Sequence, residues 1–240
     1  MTRSYGYGTD TGNLREQNED NFCVAPDLGL WAVADGMGGY KGGKTASRIV
    51  VRQLAEDIIN GLSLTASITG IHHAIIRAAK ADPENQGMGS TLVAMVTTDD
   101  NYEIAWVGDS RAYLWDGALL RQLTKDHSYV QHLVAEGVIS EREAAVHPAR
   151  HAVTQALGAE ELEAVAVETV QGVLKNNHKI LLCSDGLTNE VSDDGIAAIL
   201  LQEAADPQQA VDRLIRQTSK TAARIISPSL WSPDMPRSLL

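Results

Sequence analysis

The 240-residue chain has few cysteines and few basic residues, and it lacks long apolar runs. Its two cysteines, Cys23 and Cys183, do not have metal-ligand spacing and lie in or near apolar strand-like runs, so we expect buried free thiols. No stretch approaches the roughly 18 apolar residues of a transmembrane helix. Residues 1–10 contain no apolar core of signal-peptide length. These absences predict a cytoplasmic protein without membrane insertion.

Basic residues are outnumbered: 20 lysines and arginines face 31 aspartates and glutamates, for a formal net charge of −11. Nucleic acid or an anionic membrane as main partner would require a basic face, so both are excluded. A phosphorylated substrate stays open, because bound metal ions can supply positive charge locally. The length and the 44% hydrophobic content predict one domain with a sizeable core.

Three apolar segments each lead into an aspartate beside a glycine. They are Leu30–Ala34 before Asp35-Gly36, Tyr102–Val107 before Gly108-Asp109, and Lys179–Ser184 before Asp185-Gly186. A single Asp-Gly after a strand is usually only a turn. Three of them in one chain predict strands that deliver their acids to one shared acidic centre.

The remaining elements indicate helices in pairs and strands in hairpins. Lys44–Asn60 and Ser67–Ala81 have the apolar spacing of helices, and residues 88–123 have the pattern of an antiparallel meander. The adjacent His72 and His73 point about 100° apart on their helix, and we expect both at the surface. The order favours an α+β protein with helical layers over antiparallel sheets, not a doubly wound fold.

The acids of this centre, with one arginine, suggest metal and phosphate chemistry. Carboxylates and a glycine carbonyl are hard oxygen ligands that suit magnesium or manganese. Two such ions about 3.5–4 Å apart can hold both oxygens of an in-line phosphoryl displacement, and the planar fork of arginine matches two phosphate oxygens. The candidates are Arg15, Glu19, Asp20, Asp35, Asp109 and Asp185. Arg15 and Glu19 alone could equally form a surface ion pair.

Seven short motifs occur in one order along the chain. They are residues 15–20 (REQNED), 35–39 (DGMGG), 89–91 (GST), 108–111 (GDSR), 123–128 (LTKDHS), 147–148 (HP) and 184–187 (SDGL). Together they resemble the metal-dependent serine/threonine protein phosphatases of the 2C type, in their compact bacterial branch. Each motif is weak alone, but seven in register over about residues 6–215 are specific.

The resemblance implies an α-β-β-α sandwich, with two antiparallel sheets flanked by helix pairs and metals at one edge. Residues 1–220 would form this phosphatase domain. By position, Asp35 would bridge two Mn²⁺ or Mg²⁺ ions, the Gly36 carbonyl would bind one of them, and Asp185 would ligate a metal from across the channel.

The other site residues follow from the same resemblance. Asp109 would complete an outer third metal site, Glu19 and Asp20 would hold metal waters, and Arg15 would bind the substrate phosphate. A water bridging the metals would attack phosphorus of phosphoserine or phosphothreonine directly, without a phospho-enzyme. The histidine that relatives carry beside the glycine-rich loop is replaced by Met37 or Tyr40, so no general acid is assigned.

The resemblance also bears on two further histidines and on the partners of the protein. His127 and His147 fall on family motifs, and we expect structural loop roles for them. The resemblance implies phosphorylated proteins as partners, including a cognate Ser/Thr kinase and its substrates, and we expect a monomer. One alternative is a catalytically weakened, metal-binding regulatory pseudophosphatase. Another is an unrelated metal hydrolase acting on small phosphoesters.

Residues 221–240 depart from the family pattern. The family closes with Gly-Gly-x-Asp-Asn-x-Thr, whose first Asp binds metal, whereas residues 221–231 read TAARIISPSLW. Asp234 stands in a proline-flanked context that fits no strand-end ligand. If this tail is real, we expect the loss of one metal ligand and of one sheet strand, which would leave an apolar edge open.

The genetic code offers an explanation for the tail. Consider the alternate reading frame whose codons each join the last base of one codon to the first two bases of the next. From Lys220 onward, this frame can encode Asn-Gly-Gly-Pro-Asp-Asn-Ile-Thr-Val. We therefore hypothesise a one-base frameshift that replaces the C-terminus from about residue 216–221. The alternative is a divergent disordered tail, which its Pro, Ser and Arg content would suit.

Overall fold

A computed structural model describes residues 3–10, 18–38, 41–218 and 221–230, with the backbone alone described for residue 3 and residues 221–230. The described strands are β1 Arg3–Asp10, β2 Asp20–Ala25, β3 Leu30–Met37, β4 Gly89–Ser90, β5 Leu92–Thr98, β6 Asn101–Val107, β7 Arg111–Trp115, β8 Leu120–Gln122, β9 Glu168–Val173, β10 Lys179–Cys183 and β11 Thr221–Leu230. The described helices are α1 Gly42–Ile59, α2 Leu64–Ala81, α3 Tyr129–Ala135, α4 Glu141–Val146, α5 Asp185–Thr188, α6 Asp193–Gln202 and α7 Pro207–Arg216.

The strands form two antiparallel sheets. One has the order β1-β11-β10-β7-β8, and the other has the order β2-β3-β5-β6-β9 with β4 paired to β3. Helices α1 and α2 pack on the second sheet, and α7 packs on β1 and β11 of the first with α6 beside it. This arrangement confirms the predicted α+β sandwich of two antiparallel sheets between helix pairs.

Side-chain alternation along β3 separates two layers of the core. Leu30 and Ala32 pack with the buried faces of α1 and α2, whereas Trp31 and Val33 pack with residues of the opposite sheet. Because successive side chains of a strand point to opposite faces, Asp35 follows Trp31 and Val33 into the space between the sheets. A third cluster lies between the first sheet and helices α6 and α7.

Helix α2 corrects the expectation for His72, which is fully buried. Its Nε2 lies 3.1 Å from the Leu162 carbonyl oxygen, and its Nδ1 accepts a hydrogen bond of 3.1 Å from the Gly158 amide. His72 lies four residues after Ile68 and three before Ile75, so it belongs to the stripe that faces the core. Its two polar ring atoms are satisfied by loop backbone, which makes burial of a histidine tolerable.

Strand β11 shows that the expected missing strand and open sheet edge are wrong. Its backbone pairs with β1 on one side and with β10 on the other, so that Ile226 faces both Tyr5 and Ile180. Strand pairing uses backbone groups that every residue except proline carries, so an atypical sequence can still fill this place. Pro228 falls in the register shift opposite Arg3 and Ser4, beyond the part of β11 that pairs with β10.

Two further predictions concern the cysteines and membrane-spanning helices. Cys23 and Cys183 are both free, as predicted, but Cys23 is only half-buried. Within the described ranges, no helix combines the length and apolar character needed to cross a membrane.

The two-sided pairing of β11 leads to a stability prediction. Ile225→Pro removes an amide donor from the middle of a central strand, so we expect a loss of at least about 1 kcal/mol in the free energy of unfolding. Urea denaturation followed by circular dichroism measures this loss. Ser229→Pro, which lies in the register shift, is the matched control and should cost clearly less. Equal losses in the two variants would contradict the described pairing.

Candidate active site

The three predicted strand-to-acid segments reach the same end of the sandwich by different local structures. Asp35 lies inside β3, because the strand continues to Met37 by pairing Gly36 with Ser90 of β4. Asp109 follows β6 through a turn at Gly108, whose φ of 102° favours glycine. Asp185 is the first residue of the short helix α5.

The carboxyl groups of these segments converge between the two sheets. Asp20 and Asp35 are register partners on β2 and β3, and Asp185, at the start of α5 after β10, lies near enough to Asp35 to raise the pKa of its carboxyl. Burial, followed by the negative charges of Asp20, Asp185 and Asp109, raises the pKa of Asp35 well above its ordinary value. The three predicted acids, Asp35, Asp109 and Asp185, are therefore within electrostatic reach of one another.

Asp109 acts more weakly on Asp35 than Asp20 and Asp185 do. Burial raises its pKa to about 7, with further contributions from the charges of Asp185 and Asp126. Arg111 lowers this pKa in part, but its guanidinium is already engaged by Asp126. The closest contact of that ion pair is 2.6 Å, from Nη2 to Oδ2. Arg111 is thus a structural cation beside the site.

Close backbone packing fixes Glu19 and Gly36. The Gly36 amide donates to the Glu19 carbonyl oxygen at 3.2 Å, and the Ser47 hydroxyl of α1 donates to the same oxygen at 2.5 Å. A Cβ on Gly36 would overlap the backbone of Gly43 at the start of α1. Glycine at position 36 therefore lets the strand and the helix approach each other directly.

Hydroxyl side chains hold the backbone of Asp35. The Thr91 amide and the Ser90 hydroxyl donate to the Asp35 carbonyl oxygen at 2.9 and 3.1 Å, and the Asp35 amide donates to Thr91 Oγ1 at 3.2 Å. The Thr91 and Ser110 hydroxyl oxygens lie 2.7 Å apart, which links Asp35 to the segment after Asp109. Ser90 and Thr91 belong to the GST motif and Ser110 belongs to the GDSR motif, but the sequence predicted no individual role for these residues.

Two further side chains orient the acids themselves. Ser184 Oγ donates to Asp20 Oδ2 at 2.9 Å, so the contact spans the two sheets. Asn189 Nδ2 donates to Asp185 Oδ2 at 3.0 Å. Ser184 and Asp185 are consecutive residues that contact the register partners Asp20 and Asp35.

The donor set fits a hard divalent cation. Burial and the neighbouring negative charges oppose ionisation of Asp35, and a divalent ion would offset both effects. Within residues 3–10, 18–38, 41–218 and 221–230, no three His, Cys, Asp or Glu side chains lie close enough together to hold a metal ion. The described acids are near one another, but their side chains do not form a preformed metal site.

Three residues of the sequence predictions lie outside the described part of the chain: Arg15, Tyr40 and Asp234. Met37, which follows Gly36, is half-buried and has no proton to donate. His127 is buried against the Gly108 turn, and the His147 ring accepts from the Ala149 amide at 3.1 Å, in agreement with structural loop roles.

The four-layer sandwich and the acids between its two sheets can be compared with known proteins. The family profile described as protein phosphatase 2C matches residues 8–222. The chain belongs to the protein phosphatase 2C family.

Bacterial relatives support this assignment. The serine/threonine phosphatase stp of Listeria monocytogenes is 39% identical over 220 residues, covering 83% of this chain and 86% of the relative. The crystal structure of PstP/Ppp from Mycobacterium tuberculosis superposes with a TM-score of 0.85 at 31% identity, over 96% of this chain and 100% of that chain. A PstP catalytic domain in complex with two manganese ions has a TM-score of 0.79 at 30% identity, over 94% and 97%.

The raised pKa values predict a pH dependence for the metal-free protein. A carboxyl whose pKa is higher in the folded than in the unfolded chain stabilises the fold at low pH, and this stabilisation is lost as pH rises. For Asp109 the window runs from about 4 to about 7, and each such group loses up to about 1.4 kcal/mol per pH unit. Melting temperatures in chelator should therefore fall across this window.

Asp109→Asn tests the origin of that slope, because the amide does not titrate. The variant should show a smaller fall in melting temperature between pH 4 and 7 than the wild-type protein. Asp27→Asn, at an exposed turn far from the acids, is the control and should keep the wild-type slope. A melting temperature that rises steadily over this window would show that the acids are not buried together.

Proposed function

We propose that the chain removes phosphate from phosphoserine and phosphothreonine in proteins, with the aid of two Mn²⁺ or Mg²⁺ ions. The observation that carries the proposal is the contact between Asp35 and Asp185 across the sheets, with Asp20 and Asp109 nearby. Three negative charges act on the Asp35 carboxyl, and Arg111, which acts on Asp109, is paired with Asp126. The names of the bacterial relatives give the same reaction class.

Asp35, Gly36 and Asp185 would hold the ions at the centre of the site. When bound, divalent ions supply positive charge and lower the pKa of a shared water for attack on phosphorus. Asp35 contributes the carboxylate between the sheets, and its backbone is fixed by Ser90 and Thr91. Fixed ligands favour a transition state because no reorganisation is needed during the reaction.

Asp109, Glu19 and Asp20 would surround this centre. Asp109 and Asp185 would form the outer third site, while Glu19 and Asp20 would orient waters through their carboxylates. Arg15 would bind two oxygens of the substrate phosphate, since its charge and planar shape suit them. No side chain is proposed as general acid, because Met37 cannot donate a proton.

The substrates that follow are phosphorylated proteins. We infer that they include targets of a Ser/Thr kinase and the kinase itself, because relatives of this family are named serine/threonine phosphatases. An unrelated hydrolase of small phosphoesters would need a deep selective pocket. One cavity among the described residues, of about 450 Å³ and lined by Thr98, Glu103 and Val173, lies at the far end of β5, β6 and β9, away from the acids.

Asp35→Asn provides the direct test of the proposed reaction. We expect Mn²⁺-dependent release of phosphate from a phosphothreonine peptide, and of p-nitrophenol from p-nitrophenyl phosphate. Asp35→Asn should lower both by at least about a hundredfold, because a central charge is lost. Asp27→Asn should keep wild-type rates. Full activity of Asp35→Asn would refute the assignment of this centre.

A specific observation favours the second candidate, a weakened metal-binding regulatory protein. Residues 221–230 contain no aspartate or glutamate, although β11 begins opposite Asp10 beside the end of β10. We infer that residues 1–220 form the phosphatase domain and that residues 221–240 derive from a shifted reading frame. The profile match to residue 222 supports this boundary.

Repair of the tail separates the two candidates. Replacing the sequence from Lys220 onward by the alternate-frame reading restores an aspartate, which should increase the affinity for Mn²⁺ at least about tenfold. Isothermal titration calorimetry measures this change, and phosphatase activity should rise with it. Resequencing the gene is the control. If no one-base shift restores Asp-Asn, or if the repaired protein binds metal no better, the frameshift inference is wrong.

A further inference from the structure

His127 makes a reciprocal contact with the residue that precedes the outer acid. Its backbone amide donates to the Gly108 carbonyl oxygen at 2.9 Å, and the Gly108 amide donates to His127 Nδ1 at 3.2 Å. Both polar groups of the Gly108 backbone are thus bound by a single residue. This is the turn that places Asp109 at the acidic centre.

The His127 ring has little freedom to move. Its side chain is 6% exposed, and its ring centroid lies 6.5 Å from that of Trp106. Nε2 lies 3.4 Å from Glu168 Oε1 but is too poorly aligned for a hydrogen bond. The hydrogen bond from Gly108 is therefore the specific interaction of this ring, and it requires an unprotonated Nδ1.

The opposite side of the Gly108 turn is closed by Thr91. A Cβ on Gly108 would lie 2.6 Å from Thr91 Cγ2, so the turn is packed against the residue that also holds the Asp35 backbone. His127 and Thr91 therefore confine the turn from two directions. Loss of the His127 acceptor would free the Val107–Gly108 peptide at the start of the turn, while the His127 backbone amide would still hold the Gly108 carbonyl that precedes Asp109.

His127 also joins this turn to the helical segment beside it. The His127 carbonyl oxygen accepts a hydrogen bond of 2.8 Å from the Thr154 amide. Ser128 forms a β-bridge with Val153, and the Tyr129 amide donates to the Ala152 carbonyl oxygen at 2.9 Å. The Asp109 turn is therefore anchored on residues 128–154 through the backbone and the side chain of one residue, His127.

We propose that His127 is the positioning residue of the outer metal site, acting through its Nδ1 on the Gly108 peptide to hold Asp109 in place. The proposal rests on the role proposed above for Asp109. It assigns to the LTKDHS motif a function in metal binding that acts through hydrogen bonding, not through direct ligation.

Two substitutions distinguish this role from simple packing. In His127→Asn, the amide oxygen can take the place of Nδ1, whereas in His127→Gln the amide lies near the place of Nε2 and cannot accept from Gly108. We expect hydrogen exchange of the Gly108 amide in metal-free protein to stay slow in His127→Asn and to become at least tenfold faster in His127→Gln.

Mn²⁺ binding provides the functional measurement. In calorimetric titrations, His127→Gln should weaken the outer, weakest site about tenfold and leave the tighter sites unchanged, while His127→Asn should remain within about threefold of wild type. Asp109→Asn is the reference for complete loss of the outer site. A merely structural role would alter thermal stability without this selective change.

The possible results distinguish an error about the outer metal site from an error about the role of His127. If Asp109→Asn leaves the Mn²⁺ isotherm unchanged, the proposed outer site is wrong, and the exchange rates still decide the role of His127. If Asp109→Asn removes a site but His127→Gln exchanges and binds Mn²⁺ like wild type, the positioning role is overturned. If His127→Gln does not fold, fast hydrogen exchange of the Gly108 amide in His127→Asn would also overturn the positioning role of His127.

Discussion

The contact between Asp35 and Asp185 is the interaction on which the rest of this structure depends. Two carboxyl groups from opposite sheets meet in a partly buried place, and two further acids lie within electrostatic reach. Such a group is unfavourable by itself, since burial and like charges both oppose ionisation. The sandwich must hold these acids together against that cost. Bound cations would offset this cost, which agrees with the two manganese ions in the related PstP catalytic domain.

Neutral side chains hold these acids in place. Ser90 and Thr91 bind the backbone of Asp35, Ser184 reaches Asp20 from the other sheet, and Asn189 binds Asp185. Hydroxyl and amide groups suit this task because they orient a carboxylate without neutralising it, so its charge stays available to a metal. Arginine would compete with the metal, and Arg111 is accordingly paired with Asp126.

Local sequence patterns could predict the parts of the site, and their repetition could predict that the acids meet, but they could not predict which strands lie opposite each other. The apolar run before Asp35 predicts a buried strand, and strand alternation then fixes its direction once the two sheets are known. Nothing local indicates that β10 lies opposite β3, because strand order depends on contacts between distant segments. The family motifs supplied that information for Asp109 and Asp185. The burial of His72 was available from helical spacing, but the polar character of histidine outweighed it in the prediction.

Strand β11 shows where fold and function separate. Its ladder to β1 and β10 depends on backbone amides and carbonyls, so a sequence read in another frame can occupy the strand if it avoids proline in the paired part. A metal ligand depends on a side chain, and a sequence without acids cannot supply one. A frameshift at this point would therefore preserve the sheet while removing a ligand. The same reasoning explains why the expected open edge was wrong although the missing acid was read directly from the sequence.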